Sequence, residues 1–205
     1  MQAEQLMRAA TVIPVLTIDD IEDAVPLARA LAAGGLTVLE VTLRTAAGLE
    51  AIARIAAEVP EATVGAGTVT RAEEFTAIRG AGARFAVSPG YAAALDAAAG
   101  EMPWLPGVAT ASEIMAARAA GRTALKFFPA EVAGGIPALK AFAGPFGDIV
   151  FCPTGGIALA NAADYLALKN VACVGGSWVA PAQALAAKDW PGIEALAAEA
   201  AALGS

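Results

Sequence analysis

A chain of 205 residues is long enough to bury one large core, and its net charge of -7 disfavours nucleic acid or an anionic membrane surface as partner. It contains no histidine, which excludes Ser-His and Cys-His nucleophile pairs and every His-ligated metal site. Proton transfer is left to carboxylates, Lys, Tyr, Cys or water. The two cysteines, Cys152 and Cys173, lack zinc-site spacing, and their short apolar runs read as buried free thiols in a reducing cytoplasm. The longest uncharged run, residues 170–187, is broken by Gly175, Gly176, Pro181 and Gln183, so no membrane helix is expected. The first residues carry no basic segment leading into an apolar core, so no signal peptide is expected.

Apolar β-branched runs alternate with Ala-rich helical stretches along the chain. A short helix at residues 2–10 precedes a first strand, Val12-Ile13-Pro14-Val15-Leu16. Asp19 and Asp20 open a helix that runs to Gly34-Gly35, with acids in the first turn as the helix dipole prefers. The reading continues with strands at 36–43, 63–68, 84–88, 104–108, 124–129, 149–154 and 171–175. Helices fall at 46–58, from 71 to the stop at Gly80 and Gly82, and at 91–99, 111–120, within 135–143, 158–168 and 189–203. Eight strands each followed by a helix predict an α/β fold with a parallel sheet, most naturally one (β/α)8 barrel spanning residues 1–205. A doubly wound open sheet is the alternative, but Gly65-Ala66-Gly67-Thr68 lacks the third Gly of a dinucleotide fingerprint.

A barrel of this kind works at the C-terminal ends of its strands. In the sixth predicted strand, Leu125-Lys126-Phe127-Phe128-Pro129, an amine sits inside an apolar run. Desolvation falls on its charged form and favours a neutral amine, a nucleophile toward carbonyl carbon. The segment alone equally fits an edge lysine reaching back to water. In the second strand, period two puts Glu40, Thr42 and Arg44 on one face, which the barrel turns inward. Arg44 then lies about 13 Å above Glu40 at ~3.3 Å per residue, a deep carboxylate beneath a guanidinium suited to a carboxylate ligand. The same pattern would serve a buried ion-pair network. Thr68 ends the third strand with a hydroxyl. Val87-Ser88-Pro89-Gly90 and Leu105-Pro106-Gly107-Val108 read first as turns. The seventh and eighth strands end in Thr154-Gly155-Gly156 and Gly175-Gly176-Ser177. Two Gly pairs followed by helices predict nests of N–H groups for a phosphate, or two ordinary turns.

With these segments assembled, the chain resembles the class I 2-keto-3-deoxy-6-phosphogluconate (KDPG) and 4-hydroxy-2-oxoglutarate (KHG) aldolases. The segments are Glu40-Val41-Thr42-Leu43-Arg44-Thr45, Gly65-Ala66-Gly67-Thr68-Val69, Val87-Ser88-Pro89-Gly90, Leu105-Pro106-Gly107-Val108, Leu125-Lys126-Phe127-Phe128-Pro129-Ala130-Glu131, Cys152-Pro153-Thr154-Gly155-Gly156-Ile157 and Val174-Gly175-Gly176-Ser177-Trp178. They cover every predicted strand but the first, in the family's order. The resemblance implies a (β/α)8 barrel, usually a homotrimer, acting on 2-keto acids with no metal or organic cofactor. It places the Schiff-base lysine on Lys126 and the general acid/base on Glu40. It places pyruvyl carboxylate contacts on Arg44 and Thr68, with Pro89 and Phe128 lining the pocket. Phosphate contacts fall on Gly155, Gly156, Gly175, Gly176 and Ser177. Two other readings stay open: another phosphate-binding barrel, such as a sugar-phosphate epimerase or isomerase, and a trimeric barrel kept as an assembly module.

Overall fold

In the computed structural model, which describes residues 2–204, the β-branched runs form parallel strands because side chains on both faces find apolar neighbours. After α1 (Ala3–Arg8), the strands are β1 (Val12–Leu16), β2 (Val38–Thr42), β3 (Thr63–Gly67), β4 (Ala86–Val87), β5 (Trp104–Leu105), β6 (Gly107–Val108), β7 (Ala124–Phe127), β8 (Val150–Pro153) and β9 (Val174–Gly176). The helices between and after them are α2 (Ala24–Ala33), α3 (Gly48–Glu58), α4 (Glu74–Gly80), α5 (Ala93–Ala99), α6 (Ala111–Ala119), α7 (Gly135–Ala143), α8 (Leu159–Leu166), α9 (Ala182–Ala186) and α10 (Trp190–Ala202). One sheet runs β5-β4-β3-β2-β1-β9 and a second runs β6-β7-β8. Isolated parallel bridges pair Phe151 with Val171 and Thr154 with Gly175, so β8 also neighbours the chain entering β9.

The larger core lies between strands and helices, with Leu39, Val41, Leu125, Phe127 and Phe151 against residues such as Leu27, Ile52 and Leu139. A smaller cluster gathers the opposite strand faces: Ile13, Val38, Phe85, Leu105, Cys152 and Cys173, with Leu6 and Met7 of α1 packed against them. The period-two alternation therefore sorts the chain into an outer and an inner apolar layer, with the polar site above the inner one.

The predicted elements match in order, with four differences that have physical causes. The predicted fifth strand is two pieces, because Pro106 has no N–H to give and its carbonyl accepts instead from the Lys126 N–H at 2.9 Å. β5 thus pairs with β4, and β6 with β7. The helix expected from Asp19-Asp20 starts as a 3-10 turn, Ile21–Asp23, capped by Asp20 Oδ1 accepting from the Glu22 N–H at 3.0 Å. β9 covers only Val174–Gly176, beginning three residues past the expected start, because residues 171–173 have no ladder beyond the Val171 bridge. Finally, α9 was not expected; Pro181 at its N-cap opens a short Ala-rich helix before α10.

Candidate active site

β7 carries Lys126 inward, between its register partners Gly107 on β6 and Cys152 on β8. β2 carries Glu40 inward, opposite Val15 of β1 and Gly65 of β3. The two side chains meet: Lys126 Nζ lies 3.2 Å from Glu40 Oε1, with the residues 6% and 3% exposed. Lys126 Nζ also sits 5.2 Å from the centroid of the Phe128 ring. Burial at this depth is rare for either residue type and is tolerated because each compensates the other. A carboxylate within hydrogen-bond reach of an amine can exchange a proton with it, the geometry a nucleophilic lysine needs.

Above this pair opens a cavity of about 190 Å³ lined by Glu40, Lys126, Arg44, Thr68, Pro89, Phe128, Thr154, Gly155, Gly156, Gly176 and Ser177, among others. Ten of the eleven residues expected at the site therefore converge on one space. Arg44 does not continue β2. The strand ends at Thr42, and Leu43 and Arg44 turn over the rim, where the guanidinium is exposed. Among the described residues it makes no ion pair.

The exception is Gly175. Together with Gly176 it lies inside β9, paired with Ile13 and Pro14 of β1, so the second expected nest is a strand, not a turn. The Gly175-Gly176 sites are small for packing reasons: a Cβ on Gly175 would overlap Thr154 Oγ1, and one on Gly176 would overlap the Trp178 ring. Only Gly155 and Gly156, at φ 99° and 81°, adopt the left-handed turn that exposes successive N–H groups. Gly67 is likewise small for a packing reason: a Cβ there would overlap the Glu40 carboxylate. Thr68, at φ 61°, is a β-branched residue in a conformation that β-branched residues avoid.

A second hollow of about 610 Å³ shares Val15, Arg44 and Ser177 with the first. It holds neither Lys126 nor Glu40, and Asp19, Asp20 and Asp23 line its wall, which repels an anionic substrate. Its far side comes from the unexpected α9, through Ala182, Leu185 and Ala186. Beneath the cavity both cysteines are free and buried. A hydrogen bond from Cys173 holds the Cys152 thiol below its ordinary range, aided by the Lys126 charge and Thr154 against burial, and pushes Cys173 well above.

The family model for KDPG and KHG aldolases matches residues 3–196. The chain belongs to the KDPG and KHG aldolase family. It is 55% identical over 202 residues to the 2-dehydro-3-deoxy-phosphogluconate aldolase of Dickeya dadantii, covering 98% of this chain and 95% of that one. It is 52% identical over 200 residues to the KHG/KDPG aldolase of Escherichia coli, covering 97% and 94%. Among solved structures, a KDPG aldolase from Legionella pneumophila with pyruvate captured at low pH as a covalent carbinolamine superposes with a TM-score of 0.96. That chain is 47% identical, with 98% of each chain covered. The family's parallel α/β architecture and the buried Lys126–Glu40 pair thus occur together in this aldolase chain.

Proposed function

We propose that this aldolase reversibly cleaves KDPG to pyruvate and glyceraldehyde 3-phosphate, and KHG to pyruvate and glyoxylate. The observation that carries this reading is the 3.2 Å Lys126–Glu40 pair at the floor of a cavity rimmed by Arg44. Lys126 Nζ attacks the C2 carbonyl, and loss of water from the carbinolamine gives an iminium. Glu40, directly or through a water, takes the C4 hydroxyl proton. The C3–C4 bonding electrons pass to the iminium, leaving an enamine and a free aldehyde. Glu40 returns its proton to C3, and water releases pyruvate and the lysine. Arg44 and the Thr68 hydroxyl hold the carboxylate and so aim the scissile bond. Pro89 and Phe128 wall the pyruvyl group. Gly155, Gly156, Gly176 and Ser177 hold the terminal phosphate, binding energy remote from the reacting centre.

The captured carbinolamine in the Legionella relative supports an imine route. The bridges joining β8 to the chain entering β9, with β9 on β1, support closure of the strands into a single (β/α)8 barrel domain. The family supports a homotrimer. The aldolase family supports a cytoplasmic enzyme, and no described helix is long and apolar enough to cross a membrane. Borohydride reduction in the presence of pyruvate tests the assignment. A covalent pyruvyl mass on Lys126 is expected; labelling elsewhere, or none, overturns it. Glu40→Gln is expected to keep imine formation and lose most turnover.

A further inference from the structure

The Gly155-Gly156 turn does not stand alone. It rests on a support built from two other elements. The segment after β7 holds its backbone: the Ala130 N–H donates to Thr154 O at 2.8 Å and the Glu131 N–H to Gly155 O at 3.1 Å. The Glu131 stem lies directly under Gly156, where an added Cβ would come within 2.7 Å of Glu131 Cβ and would overlap its Cγ. The Glu131 carboxylate is fixed in turn by Tyr165 of α8, whose hydroxyl donates to Oε1. Tyr165 is 1% exposed, and burial first, then this hydrogen bond, pushes its phenol well up, so it remains a donor. From the other side, Asn161 Nδ2 donates to Gly156 O at 3.1 Å while its Oδ1 accepts from the Ala158 N–H.

A turn with two residues at positive φ has backbone freedom to lose, and its N–H groups bind an anion well only when they are held in one direction. We propose that Glu131 and Tyr165 are positioning residues that preorganise the Gly155-Gly156 turn for the substrate phosphate. The inference rests on the phosphate reading of that turn. Neither side chain lines the cavity, so their effect passes through the backbone they hold. A negative carboxylate beside a phosphate site would ordinarily oppose binding. Here Tyr165 holds the carboxylate, and neither residue lines the cavity that Gly155 and Gly156 line.

The test compares kcat/KM for KDPG and KHG in wild type, Tyr165→Phe, Glu131→Ala and Glu131→Gln. Tyr165→Phe keeps the buried ring and removes the donor. It is expected to lower the KDPG-to-KHG ratio about ten-fold, chiefly through KM for KDPG. Glu131→Ala is expected to lower it at least as far. Glu131→Gln retains the stem and an acceptor for Tyr165, and is expected to restore most of the ratio. Circular dichroism identifies any variant that fails to fold; Tyr165→Phe, which deletes one oxygen, then decides. Equal losses on both substrates, or an unmoved ratio in Tyr165→Phe, overturn the proposal. Ser177→Ala separates this failure from that of the phosphate reading. If Ser177→Ala discriminates between the substrates and Tyr165→Phe does not, only the positioning role falls. If neither discriminates, both fall.

Discussion

Two residues beside the reacting pair make opposed demands on stability and activity. Thr68 holds φ 61° at the end of β3, a strain of roughly 1–3 kcal/mol for a residue of this shape. Glycine accepts that conformation but costs up to about 1 kcal/mol in unfolded-chain entropy. Thr68→Gly is therefore expected to stabilise the fold by about 1 kcal/mol in denaturant titration while raising KM for pyruvate-yielding substrates. A KM that does not move would remove the hydroxyl from the binding scheme. Its neighbour Gly67 leaves room for Glu40. Gly67→Ala must push the carboxylate aside, and displacements near 1 Å can cost about 100-fold. Turnover is expected to fall by that order while borohydride still traps pyruvate on Lys126. Loss of trapping as well would show that the substitution disturbs more than Glu40. Lys126 and Glu40 were legible in the sequence because a charge inside an apolar strand conflicts with its surroundings; Arg44, expected on the same strand, lies past its end. The role of Gly67 was not, because it depends on which side chain of the adjacent strand fills the space.

At the scale of elements, capping explains boundaries that periodicity leaves loose. α6 begins with a reciprocal box: Thr110 Oγ1 accepts from the Glu113 N–H at 3.3 Å, and Glu113 Oε2 accepts from the Ala109 and Thr110 N–H groups at 2.7 and 2.9 Å. Thr110→Ala is expected to cost about 1 kcal/mol. The Ala109 N–H, above all, holds the Glu113 carboxyl below its ordinary value of 4.5, against a smaller effect of burial. A carboxyl depressed in the folded state stabilises fully above its unfolded value, and that contribution is lost as pH falls through the folded one. The melting temperature of Glu113→Gln should thus lie below wild type at pH 7, with the gap closing at pH values under 4.5. A gap that persists in acid would assign it to packing. Such a box is visible in Thr110-Ala111-Ser112-Glu113. The division of the fifth strand at Pro106 was less legible, since a proline tolerated at a strand edge and one at a change of pairing partner look alike in sequence. The missed α9 is short and uncharged, with no polar face to give it a period.

Across the whole molecule, the alternation of strand and helix predicted parallel neighbours, but not how firmly each pair would be joined. β2 and β3 pair continuously over five residues. β8 and the chain entering β9 meet only at the bridges Phe151–Val171 and Thr154–Gly175. Between these bridges the β9 side has one residue more than the β8 side, a bulge lined by Cys152 and Cys173. Pro153 supplies no N–H there. The bonds across this seam include Phe151 N–H to Asn170 O at 2.8 Å and Ala172 N–H to Phe151 O at 3.1 Å. Phe151 is buried and Ala172 partly buried, and exchange of either amide requires its bond across the seam to part. The weakest junction of a cooperative structure opens at the smallest free-energy cost. The amides of Phe151 and Ala172 are therefore expected to exchange on the order of ten-fold faster than that of Leu43, which donates to Gly67 O at the end of the β2–β3 pair. Because the seam leads directly into Thr154-Gly155-Gly156, a phosphorylated substrate analogue should slow Phe151 and Ala172 more than Leu43. Uniform protection with and without the analogue would mean that the β8–β9 junction opens only with the rest of the sheet, and that the turn above it owes its order to Glu131 and Asn161 alone.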